Sequence, residues 1–138
     1  MTSILLDTGP LVAYLNVADQ HHSWAVRQFA ALEEPTITCE PVWTEAAYLT
    51  RKRGGDAEAL WQILRSGAVR FAYSLKSDYE AVATLMRRYA DVSMSLADAC
   101  IVRMSELQAE CRVFTTDSHF NLYRRFGRQV IPVISPHL

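Results

Sequence analysis

Apolar positions along the chain follow two rhythms. Short, mostly apolar runs over residues 3–6, 36–39, 69–73, 112–115 and 130–134 read as strands. Between them apolar side chains return every three or four positions. Trp24, Val26, Phe29 and Ala30 mark one side of a helix over 22–32, and Leu11, Val12, Tyr14 and Leu15 continue a helix that Pro10 opens. A helix over 41–53 is stopped by Gly54-Gly55, and another from Asp56 through Arg65 is stopped by Gly67. Further helices are predicted from Ser77 or Asp78 through Tyr89, from Ser95 through Glu110, and, shorter, over 118–126. Strands separated by helices predict an α/β domain: a mostly parallel sheet of about five strands, covered on both faces. Right-handed crossovers place all strand-to-helix turns on one rim.

Composition narrows the class. The 138 residues suit one domain spanning 1–138, with half its residues hydrophobic. No apolar run is long enough for a bilayer and no leader is evident, so the expectation is a soluble cytoplasmic protein. Cys39, Cys100 and Cys111 are an odd count without C-x-x-C spacing, as expected of buried thiols in a reducing compartment. The net charge of −1 excludes a polycation. Nucleic-acid binding would therefore need local patches, and three exist: 51–53, Arg87-Arg88, and Arg124, Arg125 and Arg128. Each is equally read as a solvated helix end.

The candidate chemistry is carboxylate. Asp7 follows Ile4-Leu5-Leu6 and Asp117 follows Val113-Phe114-Thr115-Thr116, so both stand at carboxyl ends of strands, where α/β sheets place ligands. Glu45, with Val42 and Leu49 at helical spacing, lies within or beside an apolar stripe. Asp98 completes the capping pattern Ser95-Leu96-Ala97-Asp98, while Ile101 and Val102 turn it toward the core. Local roles compete in each case: an ion pair with arginine for Glu45, a cap for Asp98 or Asp117, a turn for Asp7. Jointly, four acids directed at one rim or the core form an oxygen-only set suited to Mg²⁺ or Mn²⁺. Thr8 and Thr115 are placed to orient the acids, Asp91 is a loop candidate for a fifth, and His119 stands close to Asp117.

The opening Leu5-Leu6-Asp7-Thr8-Gly9-Pro10-Leu11-Val12-Ala13, then Glu45-Ala46-Ala47-Tyr48-Leu49, Leu96-Ala97-Asp98-Ala99 and Thr115-Thr116-Asp117-Ser118-His119-Phe120 resemble, in order, the four acidic motifs of PIN-domain ribonucleases of the VapC toxin type. The resemblance spans the whole chain. It implies a three-layer α/β/α sandwich and Mg²⁺- or Mn²⁺-dependent cleavage of RNA at Asp7, Glu45, Asp98 and Asp117. It also implies a homodimer and a cognate antitoxin protein; the fourth acid is the position at which such toxins vary. The competing function is a PIN-like module that binds RNA or protein without cutting. Asp7-Thr8-Gly9 also matches the aspartic-protease triplet, but that family is nearly all β and rich in glycine, whereas this chain has five glycines and long helical periods. A haloacid-dehalogenase-type phosphatase would need a second acid where Gly9 stands.

Overall fold

The computed structural model describes residues 2–137. In chain order the elements are β1 (Ser3–Leu6), α1 (Thr8–Leu15), α2 (His22–Ala31), β2 (Thr36–Thr38), α3 (Glu40–Lys52), α4 (Glu58–Ser66) and β3 (Val69–Phe71). They continue with α5 (Leu75–Arg88), α6 (Leu96–Leu107), β4 (Cys111–Phe114), β5 (Arg124–Arg125), β6 (Gln129–Val130) and β7 (Val133–Ile134). Five strands form one sheet in the order β3-β2-β1-β4-β7, and every pairing in it is parallel.

The pleat explains the layers. Leu5 and Leu6 point to opposite faces of the central strand, and each anchors a separate core. Leu5 joins Val82, Leu85, Ile101 and Val113 beneath α5 and α6. Leu6 joins Leu11, Trp43, Leu60 and Phe114 beneath α1, α3 and α4. Helix α3 contributes to both, Val42 to the first and Trp43 and Ala46 to the second. The result is the expected α/β/α sandwich.

The order of strands creates the place where chemistry can occur. From β1 the chain first builds outward through β2 and β3, and later returns to β1's other edge with β4. The sheet therefore reverses direction between β1 and β4, and a crevice opens beyond their carboxyl ends. Thr38 Oγ1 donates to the Leu6 carbonyl at 2.7 Å, fastening the end of β2 to that of β1.

Three local expectations differ. Residues 118–126 do not form one helix: a 3₁₀ turn over Ser118–Asn121 gives way to the antiparallel hairpin β5–β6. Phe126 (φ 54°) and Gly127 (φ 78°) are both left-handed, which makes the hairpin turn and ends any helix. The expected strand over 130–134 is divided, because Pro132 has no N–H to donate; its two halves belong to different sheets. Strand β3 stops at Phe71, and α5 begins at Leu75, before the anticipated Ser77.

Candidate active site

Asp7 directly follows β1 and occupies the N-cap position of α1. Its backbone N–H still donates to the Phe114 carbonyl at 2.9 Å, extending the β1–β4 ladder by one residue. That bond aims the carboxylate into the crevice beside the segment that follows β4. Thr115 Oγ1 donates to Asp7 Oδ2 at 2.7 Å and accepts from the Asp117 N–H at 2.9 Å. One hydroxyl thus fixes two acids at once. Gly9 permits the approach: a Cβ there would collide with Thr116 Oγ1.

Asp98 comes from α6. Ser95 Oγ accepts from the Asp98 N–H at 3.0 Å, which is the cap the spacing predicts. The Asp98 side chain is free for another task, and Tyr123 Oη donates to its Oδ2 at 2.9 Å. Asp117 Oδ1 accepts from the His119 N–H at 2.9 Å and faces His119 Nδ1 at 3.1 Å. Glu45 is half-buried one turn into α3. An open cleft of about 320 Å³ is lined by all four carboxylates, with Thr8 and Gly9.

The electrostatics are those of a site lacking positive charge. Asp7 is only 4% exposed and Asp98 9%. Burial first, and the nearby Asp98 charge second, push the Asp7 carboxyl up to about 7, although its Thr115 hydrogen bond pulls the other way. Burial likewise raises Asp98, against the opposing Tyr123 hydrogen bond, with Asp117 and Glu45 adding repulsion. Among the described residues no lysine or arginine pairs with Asp7, Glu45, Asp98 or Asp117. Arg53 does reach this cleft, but its guanidinium is bound to Asp19 at 3.2 Å. Thr8 Oγ1 is buried beside the acids without a hydrogen-bond partner.

This donor set fits a hard divalent cation in chemistry: anionic oxygens, an unpartnered hydroxyl and no competing ammonium. The four acids line the cleft without closing on a point. Among the described residues no three His, Cys, Asp or Glu side chains are grouped tightly enough to hold an ion.

Other candidates fall elsewhere. Asp91 is exposed in a 3₁₀ turn (Ala90–Val92) and does not line the cleft. Arg51 is exposed at the end of α3, and Arg124 places its guanidinium on the Asn121 and Tyr123 carbonyls. His22 Nδ1 meets the Ala13 carbonyl at 2.8 Å, while His21 forms part of the cleft wall against His137. Trp43 is core, whereas Tyr48 and Trp61 are exposed. Sequence reasoning missed Tyr123, His137 and the Asp19–Arg53 pair. Asp19, in the turn before His21, and Arg53, in the basic run 51–53, each carried a signal, and nothing in the order of residues joined the two.

The PIN domain family model matches residues 4–125. The chain belongs to the PIN-domain family. It is similar to ribonuclease VapC26 of Mycobacterium tuberculosis (strain ATCC 25618 / H37Rv), at 28% identity over 127 residues that cover 90% of this chain and 94% of that protein. Its fold is that of Mycobacterium tuberculosis VapC20, described as a sarcin-ricin loop cleaving toxin. The TM-score is 0.79 at 24% identity, over 94% of this chain and 100% of the other. No helix among the described residues is long and apolar enough to cross a membrane.

Proposed function

We propose that this chain is a divalent-metal-dependent endoribonuclease, the toxin of a toxin–antitoxin pair, acting in the cytoplasm as a homodimer. Its relative VapC26 is a named ribonuclease, which supports the nuclease class. The observation that carries the reading is Asp7: a buried carboxylate without a cationic partner, sharing one cleft with Glu45, Asp98 and Asp117 at the switch point of a parallel sheet.

Asp7, Asp98, Glu45 and Asp117 are the residues that would hold Mg²⁺ or Mn²⁺, drawing together around it, and the ion would supply Lewis acidity toward phosphate oxygens and lower the pKa of water. The protein contributes placement. Thr115 occupies Asp7 Oδ2 and Tyr123 occupies Asp98 Oδ2. Each neutral hydroxyl orients its carboxylate while leaving the negative charge intact. Arg53, paired with Asp19, lines the same cleft, where an RNA phosphate can meet its guanidinium. Hydrolysis adds water across the P–O3′ bond, leaving a 5′-phosphate and a 3′-hydroxyl.

The test is incubation of labelled RNA with the protein during titration with Mg²⁺ or Mn²⁺, with and without chelator. Cleavage that follows the metal and disappears in Asp7→Asn is expected. Cleavage retained by a clean Asp7→Asn preparation overturns the site. RNA bound but never cut at any metal concentration identifies the non-cutting module instead.

A further inference from the structure

Two of the three basic runs separated in the sequence meet in the fold. Arg88, at the end of α5, lies against the turn of the β5–β6 hairpin, where a Cβ on Gly127 would be 3.5 Å from Arg88 Nη1. The Arg124 N–H donates to Tyr89 Oη at 3.0 Å, tying the root of the hairpin to the residue after α5. Arg87, Arg88, Arg124, Arg125 and Arg128 are thereby gathered on one side of the molecule. Among the described residues none of these five is in an ion pair, a state they share with Arg27, Arg51, Arg70 and Arg112; what sets them apart is that they are brought together. Arg124 and Arg125 rest on backbone carbonyls of Asn121, Tyr123 and Gln108, which orients their guanidiniums without neutralising them. The carboxylates on this side are already engaged or exposed: Glu106 takes Arg103 and the Phe126 N–H, and Asp91 faces solvent.

The tip carries a second anomaly. Phe126 is a large apolar residue held at φ 54°, a left-handed conformation unfavourable for any side chain with a Cβ, and it is 53% exposed. The Arg125 guanidinium lies 5.6 Å from its ring centre. The ring belongs to neither core. Phe126, Arg87, Arg88 and Arg128 are all exposed, so this side presents an aromatic ring together with three guanidiniums outside any ion pair.

We propose that the β5–β6 hairpin and the end of α5 form an RNA-docking surface distinct from the cutting cleft. The arginines hold phosphates and Phe126 stacks on an unpaired base. The proposal rests on the ribonuclease reading above and adds where the substrate is held. Guanidinium forks suit phosphate geometry, and an aromatic face accepts any base. The surface starts beside the cleft, since Tyr123 bonds Asp98, and reaches the far end of α6, where Arg125 bonds the Gln108 carbonyl. The ten residue steps from Asp98 to Gln108 along α6 span about 15 Å, or roughly four stacked nucleotides. RNA held there extends several nucleotides beyond the bond that is cut. An acidic peptide would satisfy the charges but leave the strained aromatic ring without a role.

The test uses the full chain with Asp7→Asn, which is expected to bind without cutting. Affinity is measured by fluorescence anisotropy across a salt series, for a labelled stem–loop RNA and for a tetranucleotide. Arg88→Gln with Arg128→Gln should lose about tenfold or more in affinity for the stem–loop, a larger loss than for the tetranucleotide. It should also lower the slope of log K against log salt by roughly 1 to 2. Phe126→Asn, which tolerates the left-handed backbone, should lose about tenfold with the slope unchanged and no fall in melting temperature. Arg27→Gln with Arg70→Gln removes two exposed charges elsewhere and should leave affinity within about twofold. Unchanged stem–loop affinity and slope in the Arg88 and Arg128 variant overturns the proposal. So does loss confined to an acidic polyglutamate peptide. If the native chain cuts no RNA with any metal, the nuclease reading falls, while the binding comparison still decides whether this surface docks RNA.

Discussion

The acidic cleft and the basic hairpin adjoin through one residue, Tyr123, yet they are built by opposite means. The cleft is assembled from distant parts of the chain: Asp7 and Thr115 are 108 positions apart, and both are buried. Its acids are held by the ends of long, well-packed elements. The hairpin is a local structure with two-residue strands, exposed and turned by two left-handed residues. The cleft carries its stress as unneutralised charge, and the hairpin as backbone strain. Both departures from the most stable arrangement occur where a polyanion would contact the protein, as expected when a fold sacrifices local stability for a site.

The largest effect should come from relieving the cleft's charge. A carboxyl moved from 3.8 to about 7 sets an upper bound of about 4 kcal/mol on the destabilisation caused by ionised Asp7 in metal-free protein. Because the folded value is the raised one, the native chain loses stability as pH rises from about 4 to about 7. Asp7→Asn escapes that loss. Its melting temperature in chelator should exceed the native one by a margin that widens over this range and is level above it. A margin independent of pH would place the stress elsewhere.

Asp98→Asn tests the same cleft by activity. Losing one preorganised charge there should lower the cleavage rate on the order of 100-fold or more, in a protein that melts no lower than the native one in chelator. Tyr123→Phe removes only the hydroxyl that orients Asp98. It should reduce activity about tenfold through weaker metal affinity, seen as partial recovery at high Mg²⁺, and should lower stability by about 1 kcal/mol. Asp91→Asn should change the rate less than about twofold, since a lone exposed charge contributes little. A loss equal to that of Asp98→Asn would mean Asp91 enters the site in the RNA complex.

The parts legible in the sequence share a physical reason. Asp7 and Asp117 each end an apolar run, so the alternation of strand and helix sets them on one rim. Ser95 and Asp98 display a cap through three-residue spacing, and the hydrogen bond is there. The sandwich follows from short apolar segments that alternate with long helical periods. The hairpin was hidden because two-residue strands have no period to detect, and because Phe126 is not a residue type that signals a left-handed turn. Tyr123 was hidden because its bond to Asp98 crosses 25 positions; a lone tyrosine in a polar stretch does not announce an inward role. The break at Pro132 was visible in principle, since proline interrupts a ladder wherever it falls.

Gly9 has a consequence for redesign. A methyl group there would meet the Thr116 hydroxyl, so the first turn of α1 and the segment after β4 are seated directly against each other. A library varied at position 9 would therefore sample whether the amino- and carboxyl-terminal thirds can dock, and survivors other than glycine should carry a compensating smaller residue at position 116.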